Sequence, residues 1–173
     1  MAVEQFAHLV RTVPDFPKAG IQFKDITPLL QNAAGLKAAI DDMLAASAHL
    51  DWQIAVGIES RGFLFAAALA YASGCGVALV RKPGKLPAVK VRLEYALEYG
   101  HDTIEIHADA LTKGQKVLIV DDVLATGGTA RAASDLVQQI GGDIAGYMFL
   151  AELGFLNGRS KLTDAEVVAL LRW

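Results

Sequence analysis

The 173-residue sequence predicts an α/β fold: a mostly parallel, twisted sheet flanked by helices. Three observations carry that expectation. Short apolar runs at residues 53–58, 77–80, 117–120 and 144–150 alternate with segments of helical period. The run at 117–120 is apolar at every position, as in a central strand covered by helices on both faces. Two of the runs end in charged residues, with a glycine and a helix start following within a few residues, which is where open α/β sheets place their ligands.

Taken in order, residues 4–13 carry Phe6, Leu9, Val10 and Val13 at i, i+3, i+4 and i+7, the spacing of an amphipathic helix that Pro14 would end. Pro17 and Gly20 mark residues 15–20 as a loop, and the alternation of Ile21 and Phe23 suggests a short extended segment. Thr27 and Pro28 can open a turn. Residues 32–50 read as a helix, with Leu36, Ala39, Ile40, Met43 and Leu44 on one face. The strand at 53–58 runs into Glu59, Ser60, Arg61 and Gly62, and a helix at 63–72 follows. After the strand at 77–80 come Arg81, Lys82, Pro83, Gly84 and Lys85. Residues 88–99 have no clean period, whereas 103–107 alternate like a half-exposed strand, so this region is expected to form a two-stranded flap. Past the strand at 117–120, Ala133, Leu136, Val137 and Ile140 fall at helical spacing, and Gly141 and Gly142 end that helix. A loop at 152–162 and a last short strand at 167–171 complete the chain.

The segment VLIVDDVLATGGTA, residues 117–130, holds the densest chemistry. Gly127 and Gly128 before a helix start let the backbone approach a ligand, with N–H groups and the helix dipole facing an anion such as phosphate. Ala125, Thr126 and Thr129 complete the loop, and the threonine hydroxyls add donors. Asp121 and Asp122 suit neighbouring sugar hydroxyls, directly or through Mg²⁺. Phosphate at one end and a diol at the other describe a ribose 5-phosphate. No Gly-Lys-Ser/Thr and no G-x-G-x-x-G is present, so neither common nucleotide loop applies. Arg61, at a strand end beside a helix start, offers a fork for a second phosphate. Arg81, Lys82 and Lys85 put three cations within five residues.

The net charge of −3 argues against a nucleic-acid surface. The single cysteine, Cys75, excludes an internal disulfide framework, and no Cys/His spacing suggests zinc. The longest apolar stretch, 63–72, is far too short to span a bilayer, and the opening MAVEQFAHLV lacks a basic start before an apolar core, so a cytoplasmic location without membrane association is expected. No linker or repeat divides the chain, which reads as one domain.

The string at 117–130 resembles the phosphoribosyl-pyrophosphate (PRPP) signature of the type I phosphoribosyltransferases. FPKAGIQFKDITPLL resembles the amino-terminal hood of the adenine phosphoribosyltransferases, ESRGFLF their pyrophosphate loop, and RKPGKLP and LEYG two further family motifs. The resemblance implies that Phe23 stacks on adenine while the backbone of Gln22, Phe23 and Lys24 pairs with its edge. Many relatives carry Arg where Lys24 stands, an exchange that matters only if the side chain makes the contact. It also implies a cis peptide bond between Glu59 and Ser60, and pyrophosphate contacts from Glu59, Ser60, Arg61, Arg81, Lys82 and Lys85. Glu98, beside Tyr99 in a flexible loop spanning about 84–107, would reach the purine. GFLNGRSKL would join residues of about 1–32 in the hood. The implied reaction converts adenine and PRPP to AMP and pyrophosphate in purine salvage, with Mg²⁺ carried on PRPP and no dedicated metal cage, in a homodimer.

Other readings are a sister enzyme acting on guanine, hypoxanthine or orotate, or a PRPP-binding regulator of the same fold without turnover. A response-regulator receiver domain also ends a strand in paired acids, but there that strand opens the domain. Only 51 residues follow Asp122 here.

Overall fold

A computed structural model describes residues 1–96 and 100–173. The chain divides into two compact units, Met1–Asp42 and Met43–Trp173.

The first unit opens with a 3-10 helix, Ala2–Leu9, followed by an antiparallel pair, β1 (Arg11–Pro14) and β2 (Gln22–Asp25). Val13 lies opposite Phe23 in this pair. The helical spacing of residues 4–13 therefore overstates the helix. Thr12 and Val13 are β-branched, and pairing with β2 outweighs a local helical pattern. Asp25 ends β2 and starts α1 (Thr27–Gln31) by accepting the Thr27 N–H at 2.9 Å. That bond first, and the Arg11 guanidinium second, lower the Asp25 carboxyl to about 2. The helix expected at 32–50 is α2, Ala33–Ser47, extended by a single 3-10 turn, Ala48–Leu50.

The second unit is built on a five-stranded sheet in the order β4-β3-β7-β8-β9, every neighbouring pair parallel. The strands are β3 (Ile54–Ile58), β4 (Gly76–Val80), β7 (Lys116–Leu124), β8 (Asp143–Glu152) and β9 (Glu166–Arg172). Helices α3 (Gly62–Ser73) and α4 (Gly128–Gln139) supply the crossovers after β3 and β7. Strand β7 runs on past Val120 through both aspartates, longer than its apolar stretch suggested. Its residues alternate as a two-faced strand should. Ile119 joins a cluster with Ala133, Leu136 and Val137 of α4, while Leu118 and Val120 are buried as well and α3 also packs on this strand. Each fully buried branched side chain contributes about 1.5–3 kcal/mol.

Between β4 and β7 the chain makes an antiparallel pair, β5 (Lys90–Ala96) and β6 (His101–His107), in continuous register from Lys90 opposite His107 to Ala96 opposite His101. Val91, Leu93 and Tyr95 of β5 pack against the α4 side of the core. Among the described residues, no helix is long and apolar enough to cross a membrane.

Candidate active site

Three adjacent parallel strands gather the site. Strand β3 lies between β4 and β7, with Ile58 opposite Val80 and Gly57 opposite Val120. β3 and β4 therefore end level with Val120 and Asp121 of β7, and the residues that follow them, Glu59, Ser60 and Arg61 after β3 and Arg81 and Lys82 after β4, meet Asp121 and Asp122 within β7. The peptide between Glu59 and Ser60 is cis. Gly62 has no room for a side chain, because a Cβ there would lie 2.7 Å from the Val120 carbonyl oxygen and 2.8 Å from Asp121 Oδ1. Glycine thus allows α3 to start directly against β7 at Val120 and Asp121.

Each cation at these strand ends has a carboxylate partner. Arg61 Nε donates to Oδ2 of the nearly buried Asp122. Arg81 Nε donates to Glu59 Oε2 at 3.2 Å, and the Lys82 backbone N–H reaches the same oxygen at 2.8 Å. Lys82 Nζ pairs with Asp102 of β6. Desolvation is the largest influence on Glu59 and pushes its carboxyl up, but the Lys82 N–H and the Arg81 guanidinium together hold it below its ordinary value. Asp121 goes the other way. Lost solvation first, and the Asp122 charge second, push it well above the ordinary carboxylate range, although it accepts the Asp122 N–H at 2.9 Å.

Residues 121 and 123–130, with Phe149, line an open hollow at the N-terminus of α4. Gly127 is the N-cap of that helix, in the left-handed region at φ +77°. A Cβ on it would lie 2.3 Å from the Gly158 carbonyl oxygen, and one on Gly158 would lie 2.2 Å from that of Ala125. Gly128 has neither constraint; its nearest neighbour would be the Ala96 carbonyl oxygen at 3.7 Å. Two glycines from distant stretches therefore pass backbone against backbone, and the C-terminal turn braces the loop. Arg159, beside Gly158, is itself anchored to the buried Glu152 at 2.7 Å. Thr129 Oγ1 lies 3.0 Å from the Tyr95 hydroxyl of β5.

The structure thus brings together Glu59, Ser60, Arg61, Arg81, Lys82, Asp121 and Asp122 at the strand ends, and Ala125, Thr126, Gly127, Gly128 and Thr129 around the hollow. Lys85 is exposed on the same basic loop, its carbonyl oxygen 3.3 Å from Arg81 Nη1. Glu98 and Tyr99 lie outside the described residues. Gln22, Phe23 and Lys24 form β2 of the first unit, where the Phe16 ring meets Phe23 edge-on at 5.2 Å and Lys24 Nζ donates to Thr12 Oγ1 at 2.9 Å. Sequence reasoning missed Gly158, Tyr95, Asp102 and Glu105. The Glu105 carboxylate is fully buried and holds the Gly84 N–H at 3.1 Å and Arg92 at 3.0 Å. Its backbone pairs in both directions with that of Arg81, so it fixes the basic loop from beneath. The Gly-rich composition of 154–158 was the single signal for Gly158, and it named no partner. The two aspartates offer the oxygen donors a hard cation takes. Among the described residues no group of three or more His, Cys, Asp or Glu is assembled for a metal.

Residues 22–162 match the family model described as Phosphoribosyl transferase domain. The chain is 54% identical over 168 residues to an adenine phosphoribosyltransferase of Salinispora tropica, covering 97% of this chain and 89% of that protein. It superposes on the crystal structure of adenine phosphoribosyltransferase from Thermoanaerobacter pseudethanolicus with a TM-score of 0.96 at 47% identity, covering 99% of both chains. The Saccharomyces cerevisiae enzyme, solved with D-2,5-dideoxy-2,5-imino-altritol 1,6-bisphosphate and adenine, matches with a TM-score of 0.89 at 40% identity, covering 97% of both chains.

Two outcomes are expected from this geometry. Gly127→Ala meets both a left-handed φ and the Gly158 carbonyl, and should destabilise the protein by about 1–3 kcal/mol, whereas Gly128→Ala should stay within about 1 kcal/mol of wild type. Urea unfolding of the two variants reads the difference; equal stabilities would remove the bracing role of Gly158. The second outcome concerns pH. Because the folded value of Asp121 lies above the ordinary 3.8, its ionisation favours unfolding: that stability is intact below 3.8 and is lost as pH rises through the folded value. Asp121→Asn keeps the acceptor for the Asp122 N–H but cannot ionise. Ligand-free melts from about pH 4 to about pH 8 should show the variant gaining on wild type as pH rises. A constant difference across that range would contradict the raised value.

Proposed function

The chain belongs to the phosphoribosyl transferase family, and from that premise we infer that it is an adenine phosphoribosyltransferase, transferring the phosphoribosyl group of PRPP to adenine to give AMP and pyrophosphate in purine salvage. The observation that carries the inference is the pairing of a glycine-walled hollow at the α4 N-terminus with two aspartates at one end and a cation-rich cluster of strand ends beside them. A hollow of that kind suits a 5-phosphate, the aspartates suit the ribose hydroxyls, and the cluster suits pyrophosphate.

In this reading the backbone of 125–129 and the Thr126 and Thr129 hydroxyls hold the 5-phosphate, and Asp121 and Asp122 hold the ribose. The bond from C1 to pyrophosphate breaks and adenine N9 forms the new bond to C1 from the opposite face. Arg61, Arg81 and Lys82, exchanging their carboxylate partners for phosphate oxygens, take up with Lys85 the charge that builds on the leaving pyrophosphate. Mg²⁺ bound to PRPP would neutralise part of its charge, and Asp121 and Asp122 would be the side chains that meet it. Phe23 stacks on the base, and the backbone of Gln22, Phe23 and Lys24 reads its edge. Lys24 Nζ is bonded to Thr12, which favours a backbone rather than a side-chain role there. Glu98 acts at the N7 side of the purine, with Tyr99 beside it.

A homodimer is part of the proposal. Leu64 and Tyr71 on α3, and Val77 and Leu79 on the outer strand β4, are exposed, Tyr71 to 91%. An apolar helix and an apolar strand side by side at a sheet edge suit burial against a second copy of the chain.

The test is a base panel with PRPP and Mg²⁺, following pyrophosphate release. Adenine presents an amino donor beside the N1 acceptor, which a backbone C=O and N–H can pair. Hypoxanthine and guanine set a carbonyl against an acceptor and should be rejected by about 10⁴-fold or more. Comparable turnover of either would sink the assignment to adenine, and PRPP retained without turnover of any base would point to a regulator. Glu98→Gln should lower kcat by about 10²–10⁴-fold with PRPP affinity and melting temperature nearly unchanged. An unaltered kcat would leave Glu98 a solvated loop carboxylate.

A further inference from the structure

Two polar side chains of the flap have no part in the proposed transfer chemistry. Tyr95 of β5 and Asp102 of β6 stand opposite each other in the register. Asp102 is fixed through Oδ1, which accepts the Thr103 N–H at 2.8 Å. Its Oδ2 accepts from Lys82 Nζ and, at 3.3 Å, from the Tyr95 hydroxyl. The same Tyr95 oxygen lies 3.0 Å from Thr129 Oγ1. An unbroken polar chain therefore runs from a side chain of the phosphate hollow, through two flap residues, to a lysine of the strand-end cluster.

Proton counting gives this chain a direction. A tyrosine hydroxyl and a threonine hydroxyl each carry one proton, and a carboxylate carries none. While Tyr95 donates to Asp102, the hydrogen bond between the two hydroxyls must be donated by Thr129. A phosphate dianion is an acceptor, so a phosphate in the hollow claims the Thr129 proton. Tyr95 can keep its bond to Thr129 only by turning its own proton onto Oγ1, away from Asp102. Asp102 is then left with Lys82 as its side-chain donor and holds it more firmly. In reverse, a ligand that draws Lys82 away leaves Asp102 dependent on Tyr95, which commits the Thr129 proton to Tyr95 and withholds it from phosphate. No proton changes its oxygen; the donor directions alone reverse.

We propose that Tyr95 and Asp102 are positioning residues that couple the two phosphate subsites negatively through this hydroxyl chain, so that an occupant of either subsite weakens the other. The claim rests on the reading of 125–129 and Lys82 as phosphate-binding groups. Its consequence falls on the products: in PRPP one molecule fills both subsites, but after transfer AMP and pyrophosphate are separate, and each speeds the departure of the other.

The experiment is calorimetric titration of the full chain with ribose 5-phosphate, without and with saturating magnesium pyrophosphate. The ratio of the two dissociation constants is the coupling factor, and by linkage it is the same for either order of addition. Direct repulsion between the two anions contributes to that ratio in every variant, so the hydroxyl chain is read from the difference between proteins. Tyr95→Phe removes the hydroxyl and keeps the ring, and should reduce the coupling factor by about 2- to 10-fold, the equivalent of one net hydrogen bond. Asp102→Asn, which cannot hold Lys82 as an ion pair, should reduce it in the same direction. If Tyr95→Phe does not fold, Asp102→Asn decides by the same ratio. A merely structural role for these residues would weaken binding of ribose 5-phosphate equally in both conditions and leave the ratio at its wild-type value; that result overturns the proposal. A wild-type chain that binds neither ribose 5-phosphate nor pyrophosphate overturns the subsite reading, and the coupling with it.

Discussion

The site depends on one constraint, the parallel alignment of β4, β3 and β7. Because all three run the same way and β3 and β4 end level with Val120 and Asp121 of β7, whatever the sequence writes after the two shorter strands arrives beside the aspartates of the third. A parallel sheet is well suited to this, since each strand must be followed by a crossover and each crossover starts at the same edge. Helix α3 can leave that edge at once only because Gly62 lets its first turn lie against the Val120 carbonyl. The order β4-β3-β7 also sets which charges meet. Glu59 lies between the basic residues after β4 and the aspartates of β7, and Arg61 crosses to Asp122 while Arg81 crosses to Glu59.

What was legible in the sequence was what is local along the chain. The strand at 117–120, the aspartates at its end, the two glycines and the helix that follows form one continuous stretch, and each residue type states its own requirement. The same holds for Gly141, which takes the left-handed conformation at φ +93° where a helix-ending glycine was expected. The parts that were not legible depend on residues far apart. Gly158 owes its identity to Ala125 and Gly127, more than thirty residues earlier, and no periodicity or motif announces that contact. Tyr95 and Asp102 looked like ordinary members of a charged flap until their register and Thr129 were known. The helix at the start of the chain was overextended for the converse reason. Apolar spacing is satisfied equally by a helix and by a short helix leading into a strand, and the partner strand β2 decides between them.

The two glycine contacts show how the loop of α4 is made stiff without any side chain. Where Gly127 and Gly158 meet, backbone lies against backbone, so no rotamer can change there. The surrounding anchors lie one layer out: Arg159 held by Glu152, and on the next turn of structure Asp164 accepting from Tyr147 at 2.8 Å, Ser134 at 2.9 Å and Arg131 at 2.9 Å. Tyr147 is fully buried, and its hydroxyl is raised in pKa chiefly by that burial. Precision at the hollow is thus maintained by groups that never approach it.

The pairing of Arg61, Arg81 and Lys82 with Asp122, Glu59 and Asp102 carries a consequence for the approach of a substrate. A cleft lined with unmatched cations would act as a long-range attractor for a polyanion, with an association rate that falls steeply as ionic strength rises. Here each of those cations is already matched at close range, and the chain as a whole carries a net charge of −3. The field seen from a distance is therefore weak, and capture is left to short-range exchange of one acceptor for another inside the site. Discrimination then happens at contact rather than during diffusion: a ligand is held only if it can replace several carboxylates together, which a compact diphosphate can do and a scattered set of charges cannot.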